Sequence, residues 1–146
     1  IEVPEPYSPR YDVWKREFEK FDITPETILV GHSCGGGFLI RWLSENKERQ
    51  VGKVVLVAPW INPENNPVSD TADFFDFEMD PDLVSRTSGV AIFHSDNDQE
   101  TIHQSVQIIR NTVKNTTYRK FHNKGHFCYE DLKSVEFPEL AEEILK

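Results

Sequence analysis

Apolar positions in this chain follow two periods, and the two alternate. Trp14, Phe18 and Phe21 recur every three or four residues within 11–21, which predicts a helix. Residues 27–30 form a short apolar run that enters Gly31 and reads as a strand. Within 35–48, Phe38, Leu39, Trp42 and Leu43 share one face of an amphipathic helix. KVVLVA at 53–58 has no polar residue after Lys53 and reads as a strand buried on both faces. A second apolar strand is expected at 89–93, a helix with Ile102, Val106 and Ile109 at 101–111, and a strand of β-branched and aromatic residues at 117–121. The last segment, 135–146, carries Leu140, Ile144 and Leu145 at helical spacing. Strands that alternate with helices and are themselves nearly all apolar predict an α/β fold, a mostly parallel sheet with helices on both faces. No linker or repeat interrupts 1–146, so one domain is expected.

Composition narrows the function. The chain has 146 residues, 38% of them hydrophobic, enough for a sizeable core. Its net charge of −9 argues against nucleic acid and anionic membrane surfaces as partners, because phosphates need a basic patch. Two cysteines, Cys34 and Cys128, make no disulfide framework. They read as small buried hydrophobes in preference to a redox pair at the site edge. No apolar run approaches the length of a membrane span and no signal peptide is visible, so a cytoplasmic protein is expected. No cysteine, histidine or carboxylate grouping has metal-ligand spacing, so neither metal nor cofactor is expected.

Four of the 7 glycines lie within 31–37, around one serine. Gly31-His32-Ser33-Cys34-Gly35 matches G-x-S-x-G between a predicted strand and a predicted helix, the context that gives the motif meaning. A strand turning at once into a helix strains the residue at the turn, and the flanking glycines remove side chains that would collide there. Ser33 would then project at the sheet edge as a nucleophile, with the Cys34 N–H donating to a developing oxyanion. Gly36 and Gly37 would let the helix pack closely on the sheet.

A serine nucleophile needs a base, and His126 follows Gly125 just after the last strand. His32 should point away from the serine and act in packing or support; His94, His103 and His122 read as ordinary. The base needs an orienting carboxylate, and both Asp96 and Asp98 in HSDND qualify, the other being a turn residue. The chain order of serine, acid and histidine is that of α/β-hydrolases.

With ILVGHSCGG, VVLVAPW, IFHSDND and KGHF in place, the sequence resembles the α/β-hydrolase-fold serine hydrolases of the retinoblastoma-binding protein 9 type, over nearly its whole length. The resemblance implies Ser33 as nucleophile, Asp98 as the acid and His126 as the base. It also implies a strand, a glycine-bearing loop, a helix and a second strand ahead of the nucleophile strand, roughly 40 residues. None of that unit is in this sequence, which opens at Ile1, not methionine. The expected sheet is therefore N-terminally incomplete, and a preceding segment or second chain would complete it and supply a second oxyanion donor. A proline that the family often carries soon after the acid is absent from Gln99-Glu100-Thr101-Ile102.

The long connection 59–81 holds four prolines and an acidic, aromatic stretch. It is the expected cap segment. Phe74, Phe75 and Phe77 would line a substrate pocket there, or else pack on the core while Asp70, Asp73, Asp76, Glu78 and Asp80 face water. The activity expected is that of a serine hydrolase acting on a small ester, amide or thioester through an acyl-enzyme. The alternative is a non-catalytic binding or scaffolding protein on the same fold; an intact Ser-Asp-His set favours the enzyme.

Overall fold

The computed structural model describes residues 1–64 and 73–146. Its helices are α1 (Tyr11–Phe18), α2 (Cys34–Glu45), α3 (Glu100–Thr112), α4 (Tyr129–Leu132) and α5 (Pro138–Ile144). Its strands are β1 (Leu29–His32), β2 (Val54–Val57), β3 (Val90–Ser95) and β4 (Thr117–Phe121). Single 3-10 turns occupy Asp73–Phe75 and Leu83–Arg86.

Several element ends differ from those the periodicity predicts, each for a local reason. α1 stops at Phe18, because the backbone then closes tight turns from Lys20 N to Glu17 O and from Phe21 N to Phe18 O. Phe21 is consequently exposed and leaves the apolar stripe. β1 starts only at Leu29, since Thr27 is spent on a turn in which its hydroxyl accepts from Thr24 N at 2.9 Å. α5 starts at Pro138 rather than Val135; proline suits the first helical turn, where its missing N–H has no partner to lose. The short α4 has no periodic signal.

The four strands are parallel and lie in the order β1-β2-β3-β4. When strands are laid down in sequence order, right-handed crossovers all land on one face. That face carries Leu29, Gly31, Leu56 and Ile92 and receives α2 and α3, and α1 packs on α2, where Phe18 meets Phe38 and Trp42. α5 returns to the opposite face, where its neighbour Phe137 meets Phe93 and Phe121 at 5.9 and 6.1 Å between ring centroids. Every residue of β2 and β3 is buried, as a sheet covered on both sides requires. β1 differs: it lies at an edge of the sheet, and Val30 and the preceding Ile28 are each 46% exposed. No helix of the described residues is long and apolar enough to cross a membrane.

One buried ion pair ties the second crossover to α2. Arg86 Nη1 donates to Asp80 Oδ2 at 2.7 Å and its Nη2 to Leu43 O at 2.6 Å. Asp80 N donates to the Ser44 hydroxyl at 3.0 Å. Burial pushes the Asp80 carboxyl up, but the Arg86 hydrogen bond, the Asp82 N–H and the Arg86 charge outweigh it and hold the carboxyl below the usual carboxylate range. Removing one partner strands the other in low dielectric. Asp80→Asn should therefore lower unfolding free energy by about 3 kcal/mol near neutral pH, read by urea denaturation. A depressed carboxylate stabilises above its unfolded pKa, and that contribution is lost as pH falls through the folded value. The gap between variant and wild type should thus close on acidification; a constant gap would show that the pair contributes no charge-dependent stability.

Candidate active site

Ser33 sits between β1 and α2 with φ 53° and ψ −122°. A non-glycine residue rarely adopts such a φ, and something must hold it there. Ser33 N donates to Val57 O of β2 at 3.0 Å. Ser33 O accepts from Gly36 N at 3.0 Å, from Gly37 N at 3.3 Å and from Trp60 N at 3.1 Å. The turn is thus clamped by the neighbouring strand, by its own helix and by the segment after β2.

The glycines divide their work differently from the expectation. A Cβ on Gly31 would lie 2.6 Å from Gly35 O and 2.8 Å from Gly36 Cα, and one on Gly36 would lie 3.2 Å from Gly31 O, so strand and helix approach closely there. A Cβ on Gly35 would meet nothing within 4 Å, so the second motif glycine prevents no collision. Gly36 and Gly37 do admit close packing, against Pro59, the Trp60 carbonyl and the Phe75 ring.

Cys34 opens α2, where a backbone N–H has no partner within the helix and the helix dipole favours negative charge. Burial pushes the Cys34 thiol up. Burial also raises Cys128, with Asp131, Glu130 and Asp98 adding to it. Both cysteines are free.

The two candidate acids part company. Asp98 lies beyond β3 with its carboxylate fully buried, and His126 Nδ1–H donates to its two oxygens at 3.0 and 3.1 Å. Gln99 N donates to Asp98 Oδ1 at 2.7 Å. With Nδ1 carrying the proton, Nε2 of His126 is the basic nitrogen. Asp96 instead accepts from His122 Nδ1 at 2.6 Å and from Asn123 N at 3.0 Å, and these bonds hold it below the usual carboxylate range.

His32, expected to act in packing or support, bonds the histidine of the pair. Its Nε2–H donates to His126 O at 2.7 Å, and the two rings stand 4.7 Å apart. The residue adjoining Ser33 therefore touches the residue paired with Asp98, which brings Ser33, Asp98 and His126 to one end of the sheet. His94 is buried and bonds the Tyr118 hydroxyl at 2.8 Å and His103.

Of the three phenylalanines expected to bind substrate, Phe74 and Phe75 belong to the core. Phe74 is 1% exposed, edge-on to Trp14 of α1 at 5.0 Å and 6.3 Å from Phe38 of α2 between ring centroids. Phe75 packs edge-on to Trp60 at 5.0 Å. Phe77 is half-buried beside Arg41, while Asp73, Asp76 and Glu78 face water. Asp70 and the rest of 65–72 lie outside the described residues. Trp60, whose N–H donates to the Ser33 carbonyl, is marked in the sequence by its place at the end of VVLVAPW, just after β2. Outside β1, next to the serine turn, an open cleft of about 270 Å³ is lined by Trp14, Phe18, Val30, Gly31, His32 and Phe38.

Known proteins share this arrangement of elements. The ydeN gene product of B. subtilis superposes with a TM-score of 0.82 at 20% identity, over 99% of this chain and 78% of that one. A YdeN-like hydrolase from Pectobacterium atrosepticum gives 0.62 at 20% identity, over 99% and 72%. An esterase from Exiguobacterium antarcticum gives 0.63 at 13% identity, over 93% and 74%. At these identities the likeness establishes the α/β-hydrolase fold. No curated protein matches the chain in sequence. The serine hydrolase family model matches residues 1–135. With its serine turn and α/β-hydrolase fold, the chain belongs to the serine hydrolase family.

Proposed function

We propose that this serine hydrolase cleaves a small ester, amide or thioester through an acyl-enzyme on Ser33. The observation that carries the reading is the buried Asp98 carboxylate paired with His126, whose ring stands 4.7 Å from that of His32, the residue before a serine held at positive φ. His126 Nε2 takes the hydroxyl proton as Ser33 Oγ adds to the acyl carbon. The Cys34 N–H donates to the oxyanion that forms on the carbonyl oxygen. The carbon–leaving-group bond then breaks, and His126 passes its proton to the departing oxygen, nitrogen or sulfur. Water repeats the cycle on the acyl-serine and releases the acid. Asp98 keeps the Nδ1–H tautomer and favours the imidazolium formed midway.

The motifs also support the narrower retinoblastoma-binding protein 9 type. The open edge of β1 supports a strand-bearing segment, from ahead of Ile1 or from a second chain, pairing along it; exposed Val30 and Ile28 are the surface such a segment would cover. The expected cap role of the 59–81 connection is supported by its described start, where Trp60 N donates to Ser33 O. The free thiols accord with a cytoplasmic protein.

Ser33→Ala should abolish labelling by a fluorophosphonate probe and lower ester turnover at least about 10³-fold, with the circular dichroism spectrum unchanged. A labelled or active variant would remove Ser33 from the mechanism. Asp98→Asn should cut kcat by about 10⁴-fold, whereas Asp96→Asn, at a carboxylate that bonds His122 and Asn123, should stay within about tenfold of wild type. Reversal of that order in steady-state assays would transfer the acid's role to Asp96.

A further inference from the structure

Four consecutive residues, Ser95 to Asp98, each present a side-chain oxygen to the loop that carries His126. Ser95 Oγ accepts from Lys124 N at 2.8 Å. Asp96 Oδ1 accepts from Asn123 N at 3.0 Å. Asn97 Oδ1 accepts from Gly125 N at 2.8 Å and from the Ser95 hydroxyl at 2.8 Å. Asp98 takes the His126 ring. The next N–H, that of His126 itself, donates to Asp131 Oδ2 of α4 at 2.8 Å.

The backbone of this loop has left the sheet, so its donors need partners elsewhere. The N–H groups of 123, 124, 125 and 126 all find side-chain oxygens instead of a strand. The loop is also conformationally unusual: Asn123, Gly125 and Phe127 have φ of 53°, 51° and 58°. Phe127 is bulky for that region, and its ring is buried against Phe121 and Phe137. A Cβ on Gly125 would run into the Asp131 carboxylate. Such a loop holds its shape only if the surroundings over-determine it.

We infer that Ser95 and Asn97 are positioning residues for the base: their linked oxygens fix the Lys124–Gly125 backbone and so set the His126 ring against Asp98. Ser95 is fully buried at the end of β3, which makes it the rigid anchor. Asn97 is exposed as a residue and extends that anchor to Gly125 through its Oδ1. Because Ser95 Oγ donates to the same oxygen that accepts from Gly125, an aspartate at 97 keeps both bonds and an alanine keeps neither. His126 is also bonded by Asp98 from the β3–α3 turn at its ring, by Asp131 at its N–H, and at its carbonyl by His32 from the end of β1 and by the Cys128 thiol at 3.8 Å.

The inference rests on the proposed Ser33, His126 and Asp98 mechanism, and Ser33→Ala serves as its control. Misplacement of a reacting group by about 1 Å costs on the order of 10²-fold in rate. Asn97→Ala should therefore lower kcat by about 10- to 100-fold with KM within about threefold, and Asn97→Asp should restore kcat to within about threefold of wild type. A parallel NMR measurement should show the His126 Nδ1–H proton protected from exchange in the wild type and in Asn97→Asp, and broadened in Asn97→Ala. Because Asn97 is exposed, the thermal midpoint should change little; were Asn97→Ala to unfold, the same proton in Ser95→Ala decides. Wild-type kcat and a protected proton in the alanine variants, with Ser33→Ala inactive, would overturn the positioning role and leave the mechanism standing. Activity retained in Ser33→Ala would instead overturn the mechanism itself.

Discussion

The backbone of Ser33 is the constraint on which the site depends. Its left-handed conformation ends β1 and starts α2 in a single residue, which costs free energy unless the surrounding chain insists on it. Here the insistence comes from three directions: Val57 of β2, Gly36 and Gly37 of α2, and Trp60 beyond β2. Close contact of Gly31 with Gly35 and Gly36 then brings the helix start up against the strand. The hydroxyl and the Cys34 N–H are consequences of that geometry. No side chain has to be recruited to aim them.

A parallel sheet gathers the remaining chemistry. All four strands point the same way, so the segments after β1, β3 and β4 emerge at the same end. Ser33, Asp98 and His126 each follow one of those strands. β3 brings a fully buried sequence up to Ser95, and the polar turn that follows serves two purposes at once. It provides the carboxylate for His126 and the oxygens that hold the loop bearing it. His32 braces the same histidine from the other side through its carbonyl. The imidazole is therefore fixed by its own backbone as well as by its partner acid.

Much of this was legible in the chain. The four strands, α2 and α3 follow from apolar periodicity, and the G-x-S-x-G turn follows from its place between strand and helix. The residues alone left Asp96 and Asp98 equal, since both are carboxylates in one polar turn. Burial separates them: Asp98 points inward to His126, and Asp96 outward to His122. Phe74 and Phe75 were equally ambiguous, because an aromatic side chain suits a ligand pocket or a core. The face shared by α1 and α2 takes Phe74 into a cluster with Trp14 and Phe38, and Phe75 follows it inward. The end of α1 and the whole of α4 escaped the pattern, since turns made by a few backbone bonds carry no period.

What the sequence by itself determined is therefore what depends on near neighbours. Side chains a few residues apart share a helix face or alternate across a strand, and a serine with a glycine two residues to either side, set between a strand and a helix, marks a tight turn. What the tertiary structure decided involves residues far apart in the chain. Asp98 meets His126 across 28 residues and His32 meets His126 across 94. The oxygens of Ser95 and Asn97 meet backbone groups 29 and 28 residues away. Such pairings depend on strand order and on which side chains are taken out of water, and only the packed sheet sets both.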